Sequence, residues 1–381
     1  MPKSKHSKRE LGLISLFAGA GGLDLGFEKA KHADSGFKVV WANEYDKAIL
    51  PTFQRNFPQT HLVPGSITDI TAADLKDSRG RTLISKTEQT VHGILGGPPC
   101  QSWSEAGSRR GVKDKRGQLF FEYIRILRLV QPAFFVAENV SGILFERNRE
   151  ALEGILKLFQ SAGYTVRYGL VNAKDFGVPQ DRERVFFVGV RADLGVSFAF
   201  PKPKTTRPVT LRRAIGDLEA TARVFNATNR EPQQNEYAPG GFSPIYMSRN
   251  RVRSWDETSF TIQAMSRNAP IHPAAPRMVL KGKDRWDFAP GGNERRLTVR
   301  ECARIQTFPD TFAFEYKNIS DGYKMVGNAV PVTLAKAFAE ELLSQLSDPS
   351  VRKKMSRPLQ AKSKKRAGKP MLVKGEAPRT K

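Results

Sequence analysis

The sequence predicts an α/β fold: a mostly parallel sheet covered on both faces, with a second, smaller, loop-rich domain set into it. Three observations carry this. From residue 11 to about 190, short apolar runs alternate with helical patterns, the rhythm of strand–helix–strand units. From 195 to 295, Pro, Gly, Arg, Asn and Ser dominate and helical periodicity weakens. Helical pattern then resumes at 296–346. The expected organisation is a first part of the main domain at 1–194, the smaller domain at 195–295, a return segment at 296–346 that completes the main domain, and a tail at 347–381.

The strand signals are Leu11-Gly12-Leu13-Ile14-Ser15-Leu16, Lys38-Val39-Val40-Trp41-Ala42, Gly93-Ile94-Leu95, Ala133-Phe134-Phe135-Val136-Ala137 and Arg184-Val185-Phe186-Phe187-Val188-Gly189-Val190. The clearest helix runs from Gln118 to Val130, where Leu119, Tyr123, Ile126, Leu127 and Val130 share one face. In the smaller domain, Pro239-Gly240-Gly241 and Pro290-Gly291-Gly292 mark turns. Thr298 to Gln306 and Val332 to Leu346 then read as helices. The tail from Val351 holds twelve Lys/Arg against the single acid Glu376 and few apolar residues, a composition that disfavours folding.

The formal charge of +24 points to a polyanionic partner, with nucleic acid the default. Close to half of it lies in the tail, as a solubilising segment or a phosphate-binding arm; the charge on the ordered body speaks more directly for nucleic acid. Two cysteines, Cys100 and Cys302, provide neither a disulfide framework nor a four-ligand zinc site, and no metal is expected. No apolar stretch approaches the roughly 20 residues that span a bilayer, and no signal segment is evident. A cytoplasmic protein is expected.

Chemistry-bearing residues gather after the strands. Phe17-Ala18-Gly19-Ala20-Gly21-Gly22 follows the first strand, where glycines let a ligand approach the amides of a helix N-terminus. It is not a P-loop, because no Gly-Lys-Ser/Thr follows, and Asp24 stands at the third glycine position of a dinucleotide fingerprint. Glu44, after the second strand, is placed to take a ribose hydroxyl pair. Asp69, followed by Ile70, could accept from an adenine amine or simply cap a turn. Gly96-Gly97-Pro98-Pro99-Cys100-Gln101 puts a thiol at the carboxyl end of a strand, where open α/β sheets bind ligands; an inert small hydrophobe is the other reading. Glu138 ends an apolar strand, where burial requires a partner. Gln180, Arg182 and Arg184 alternate onto one face.

In this order the residues resemble the DNA (cytosine-5)-methyltransferase family of bacterial restriction-modification type. The resemblance rests on Phe17 to Gly22, Asn43-Glu44, Asp69, Pro98-Pro99-Cys100-Gln101, Glu138-Asn139-Val140, Gln180-x-Arg182-x-Arg184, Arg296 to Gln306 and Gly327-Asn328-Ala329-Val330-Pro331. It spans residues 11 to 345. Trp103, where phenylalanine is more usual, is the one departure noticed.

The resemblance implies a Rossmann-like S-adenosylmethionine-dependent methyltransferase domain with a loop-rich target-recognition domain at 195–295. S-adenosyl-L-methionine would donate the methyl group, leaving S-adenosyl-L-homocysteine. Phe17, Gly19, Gly21, Gly22, Glu44, Asp69, Ile70, Pro98 and Asn328 would bind it. Cys100, Glu138, Arg182 and Arg184 would be catalytic: the thiolate at C6 of cytosine, the carboxylate at N3 and the 4-amino group, Arg182 favouring the thiolate, Arg184 at the 2-oxo oxygen. A free thiol, with pKa about 8.5, needs such help at neutral pH. C5 and C6 are out of reach in a stacked duplex, so the base must flip. Gln101, Ser104, Arg109 and Arg110 would belong to a loop closing over it. Arg249, Arg251, Arg253, Thr261 and Arg267 would contact DNA.

The expected partners are double-stranded DNA and, functionally, a restriction endonuclease, with the enzyme monomeric. The lack of a large regulatory extension within these 381 residues supports the restriction-modification assignment. A transfer-RNA methyltransferase, a non-catalytic DNA-binding paralogue and a nicotinamide dehydrogenase fit less well. The 195–295 region is long and rich in Arg and Asn, the catalytic set is complete, and no hydride-transfer acid or base is visible.

Overall fold

Six consecutive buried residues, 11–16, make β1 (Arg9–Leu16) a central strand, since only a strand covered on both faces tolerates so continuous an apolar run. In the computed structural model, which describes residues 9–85, 87–99, 118–204, 207–226, 235–292, 294–358 and 373–374, β1 lies between two parallel neighbours. On one side is β3 (Ser35–Glu44), on the other β5 (Val91–Gly96). β2 (Lys31–His32) runs antiparallel to β3, and β4 (His61–Pro64) runs parallel to it. Beyond β5 come β6 (Phe134–Val140), parallel, then β8 (Glu183–Arg191) and β7 (Tyr164–Asn172), each antiparallel to its neighbour. Val373–Lys374 runs beside β7 and completes nine strands among the described residues.

Two apolar layers cover the sheet. On one face α1 (Gly22–Lys29), α8 (Val332–Gln345) and α9 (Pro349–Met355) contribute Leu23, Phe27, Leu334, Phe338, Leu342, Val351 and Met355. On the other, α3 (Gln118–Val130) and α4 (Arg149–Ser161) contribute Phe120, Tyr123, Leu127, Ile155 and Phe159. The last long helix therefore closes on the first. A Cβ at Gly26 of α1 would sit 2.4 Å from the Cβ of Ala335 in α8, so the two backbones approach as closely as glycine permits.

The mostly parallel sheet and its five anticipated strands appear. The structure adds β7 and α4, which the sequence reading lacked, and runs β8 antiparallel. It also moves two boundaries. Phe198, assigned to the smaller domain, is 1% exposed in the same core as α8, and Leu211 and Ile215 of α5 (Leu211–Ile215) pack with the return segment. A separate small core forms only around Phe242, Tyr246, Ile271, Ala275, Met278 and Phe288. It is backed by the hairpin of β11 (Met278–Gly282) and β12 (Arg285–Phe288), after the short pair β9 (Arg223–Val224) and β10 (Glu236–Tyr237). The tail expected from 347 starts later as well. Val351 and Met355, one helical turn apart, dock α9 onto the core.

Candidate active site

The carboxyl ends of β1, β3, β4, β5 and β6 share one edge of the sheet, and because β8 runs antiparallel, its first residues lie at that edge too. After Leu16 the chain turns through three positive φ angles, 54° at Phe17, 56° at Gly19 and 86° at Gly21, before entering α1. A non-glycine residue in that region is strained by about 1 kcal/mol or more. The loop is held from three sides. A Cβ at Gly21 would lie 2.3 Å from the Phe57 ring, and one at Gly22 would lie 2.5 Å from the Val330 carbonyl oxygen. The Gly19 amide donates to Glu44 Oε2 at 2.8 Å, and the Asp46 amide to Oε1 at 2.8 Å. Burial pushes the Glu44 carboxyl above its ordinary value, with these amides opposing. Nothing lies within 4 Å of the Cβ direction of Gly19, so the loop opens to one side at the start of α1.

Neighbouring residues extend this cradle. Asn43 donates to the carbonyls of Val63 and Gly65, both at 3.0 Å, and Arg125 of α3 donates to that of Ile67 at 2.8 Å. Together they fix the turn on which Asp69 is exposed. Ile70 is buried in the core beneath that turn. Tyr45, not singled out from sequence, is 74% exposed beside Glu44. Its only sequence signal was its place after the strand-end carboxylate.

At the other half of the edge, register does the work. Glu138 pairs with Phe186 across β6 and β8, and Val140 with Arg184, which makes Glu138 and Arg184 diagonal neighbours on one face. Arg184 Nε lies 2.9 Å from Glu138 Oε1. Burial pulls Arg184 below the usual arginine range, and Glu138 opposes that shift. Oε2 of Glu138 would lie 3.3 Å from a Cβ on Gly97, and Asn139 donates to the Pro98 carbonyl at 3.2 Å. The ion pair thus borders the chain three residues before Cys100. Cys100 itself, with Gln101, Ser104, Arg109 and Arg110, lies outside the described residues.

Arg182, expected to favour the thiolate, is tied into a junction between segments distant in the chain. It is 1% exposed, and its guanidinium donates to the carbonyls of Ile262 (3.2 Å), Gly327 (2.9 Å) and Ala329 (3.1 Å). Desolvation works strongly against its charge, and these three acceptors offset it. Gln180 and Gln306 complete the junction. Gln180 donates to Gln306 Oε1 at 2.8 Å and accepts from the Ile262 amide at 2.9 Å, while Gln306 donates to Val326 and Ala329. The Thr261 hydroxyl donates to the Asp181 carbonyl at 2.7 Å. Asn328, exposed, ends α7 (Ile319–Asn328) within this knot. The physical reason is strand alternation: it put Arg182 and Arg184 on one side, but the return segment covers only the first.

The predicted DNA contacts also divide. Arg249 and Arg267 are exposed. Arg251 and Arg253 are instead engaged inside the domain. Arg251 donates to the Tyr246 carbonyl at 2.7 Å and lies over that ring at 4.7 Å. Arg253 pairs with Glu257 at 2.8 Å and lies over Phe260 at 4.0 Å. Cys302 is buried in α6 (Val299–Ile305), its thiol pushed far up by desolvation, an inert core residue. Among the described residues no cluster of three His, Cys, Asp or Glu could hold a metal ion, and no helix is long and apolar enough to cross a membrane.

Comparison with known proteins agrees with this geometry. The family model for C-5 cytosine-specific DNA methylases matches residues 11–344. The chain is 51% identical over 343 residues to the Type II methyltransferase M.NgoPII of Neisseria gonorrhoeae, covering 88% of this chain and 96% of that one. It is 49% identical over 352 residues to M.FnuDI of Fusobacterium nucleatum, with 90% and 97% covered. Among solved structures, a prophage-encoded E. coli protein described as a candidate DNA modification methyltransferase superposes with a TM-score of 0.65 at 26% identity, over 89% of this chain and 100% of that one. A strand-end glycine loop, a Glu–Arg pair beside a Pro-Pro-Cys segment and a return helix closing on the first thus come with a family match over most of the chain: it belongs to the C-5 cytosine-specific DNA methylases and is a DNA methyltransferase.

Proposed function

We propose that this enzyme methylates C5 of a flipped cytosine within a specific sequence of double-stranded DNA, through a covalent bond between Cys100 and C6. The observation that carries the reading is the Glu138–Arg184 pair held beside Gly97 and Pro98, on the approach to Cys100. A carboxylate and a guanidinium fixed side by side present an acceptor next to donors. That order matches the edge of cytosine, where the 4-amino group and protonated N3 donate and the 2-oxo oxygen accepts.

The Cys100 thiolate attacks C6, and the ring electrons move toward N3, which takes a proton while Glu138 holds it and the 4-amino group. Arg184 holds the 2-oxo oxygen. The C5–C6 double bond becomes single and C4–C5 double, leaving with the 4-amino group an enamine that is nucleophilic at C5. S-adenosyl-L-methionine, when bound, supplies the methyl group and leaves as S-adenosyl-L-homocysteine. A water molecule takes the C5 proton, the freed electron pair restores the C5–C6 double bond and expels the Cys100 thiolate, and N3 gives back the proton it took. The open glycine loop, Glu44 for the ribose, Asp69 for the adenine amine and exposed Tyr45 for its face form a cradle suited to that molecule. Phe17, Pro98 and Asn328 border it. Arg182 serves as a strut that positions Arg184 and Asn328. Arg249 and Arg267, with Thr261 near the flipped nucleotide, are the DNA contacts best placed to act. Protection of DNA from a partner restriction endonuclease is the biological role that fits the relatives' Type II assignment.

The test is a duplex carrying 5-fluorocytosine at the target. The parent enzyme should form a stable covalent adduct, and Cys100→Ala should form none and transfer no methyl group. Methyl transfer by Cys100→Ala would overturn the mechanism. Bisulfite sequencing of DNA from an expressing host identifies the recognised sequence.

A further inference from the structure

We infer that Lys324 is a positioning residue for the cofactor cradle: by gripping Asp46 from α7, it fixes the Glu44 carboxylate in the direction from which the ribose of S-adenosyl-L-methionine is held. The inference rests on the reading of Glu44 as the ribose acceptor. It adds to that reading a residue of the return segment that lies outside every motif singled out in the sequence.

The contacts form one line. Lys324 Nζ lies 2.7 Å from Asp46 Oδ2 and 3.2 Å from Oδ1 of Asp321, one turn earlier on α7. The Asp46 amide donates to Glu44 Oε1 at 2.8 Å, and the Gly19 amide donates to Oε2 at 2.8 Å. Each carboxylate oxygen can accept twice. With one site on each oxygen held by an amide, the others stay aimed at a ribose hydroxyl pair. Asp46 Oδ1 also accepts from the Ala48 amide at 3.0 Å, and its carbonyl from the Ile49 amide at 2.9 Å, which shapes the turn into α2 (Leu50–Asn56). A displacement of Asp46 therefore reaches Glu44 through a single hydrogen bond. If that amide withdraws, the carboxylate keeps only Gly19 and can rotate. The Glu44 backbone is fixed separately, its carbonyl accepting from the Gly65 amide at 3.0 Å, so what Lys324 governs is the side chain.

Stability is not what this pair supplies. The two side chains are 33% and 34% exposed, and ion pairs so open to water contribute little to folding. α7 is also fastened without them. The buried Tyr323 hydroxyl donates to the Leu297 carbonyl at 2.6 Å, and the Gly327 and Ala329 carbonyls accept from Arg182. A Cβ on Gly327 would lie 2.4 Å from the Gln263 backbone. The consequence of the pair is therefore positional. Its charges persist as well. Partial burial would raise the Asp46 carboxyl, yet the bonds from Lys324 and the Ala48 amide hold it below its ordinary value. Burial would lower the Lys324 ammonium, yet Asp46 and Asp321 hold it above. The grip on Asp46 is thus in place throughout the neutral range.

The experiment reads the sugar directly. Calorimetry measures binding of S-adenosyl-L-homocysteine, and of its 2′-deoxyribose analogue, to the full-length enzyme without DNA. The parent should prefer the ribose compound by at least about tenfold. Lys324→Met should bind that compound about five- to tenfold more weakly and the analogue nearly as well as the parent does, which reduces the preference to about twofold. Asp46→Asn keeps an acceptor for the Ala48 amide but removes the charge. It should give the same loss, and the double variant should lose no more than about twofold beyond either single one. Equal losses for both compounds, no loss, or additive losses overturn the inference. If the parent itself shows no preference for ribose, the assignment of Glu44 has failed and the inference with it. If the parent does not bind S-adenosyl-L-homocysteine at all, the reading of the cradle fails first. Should Lys324→Met lack the parent's thermal transition, Asp46→Asn decides by the same two titrations.

Discussion

Asp24 shows how much a single side chain can hide. It stood in the sequence as a departure from a glycine fingerprint; in the fold it is buried in the first turn of α1, and burial raises its pKa from 3.8 to about 7. The unfolded chain loses this proton near pH 4 and the folded chain near 7, so between those values the native state holds more protons. Stability contributed by the neutral carboxyl is complete below pH 4 and is lost as pH rises to 7, at about 1.4 kcal/mol per unit. Asp24→Asn cannot titrate. Thermal unfolding should show its melting temperature gaining on the parent between pH 4 and 7, then running parallel. Glu138→Gln is expected to lower kcat by about 10²–10³-fold, because an amide cannot stabilise the protonated ring. Single-turnover methyl transfer checks this, and DNA affinity should change far less. Glu138, Arg184 and the glycine loop were legible as residue types at strand ends. Arg182 was not, since nothing local distinguishes an arginine that faces a substrate from one covered by a segment more than 140 residues away.

At the scale of elements, apolar runs and helical faces revealed the strands and helices whose burial is complete. β7 escaped because it is partly exposed along its length, with Arg167 and Gly169 interrupting its pattern; α4 had a clear amphipathic face but no motif to draw notice. The packing of α1 on α8 offers a direct check. Gly26→Val would push its side chain into Ala335 and the Val332 carbonyl, and should destabilise the fold by about 2–4 kcal/mol, read from the midpoint of urea unfolding. Thr298→Ala removes one half of the capping box that opens α6, where the Thr298 hydroxyl accepts from the Glu301 amide. A loss of about 1 kcal/mol is expected, with methyl transfer intact at 25 °C.

For the whole molecule, the return segment makes the main domain discontinuous, and this sets its cooperativity. A chain stopped after Ala329 loses Leu334, Phe338, Leu342 and Leu343 from the core over the sheet. It should show no cooperative unfolding transition by circular dichroism, whereas a chain ending at residue 358 should keep one. What the sequence by itself determined is the α/β class, the order of strand-end motifs and the excess of positive charge, because each depends on local pattern or composition. That Arg182 is held by the carbonyls of Ile262, Gly327 and Ala329, that Phe198 shares a core with α8, and that Val351 and Met355 dock α9 there were decided only by tertiary structure. The reason is physical: these are contacts between segments far apart in the chain, and burial by a distant partner leaves no mark on the local sequence.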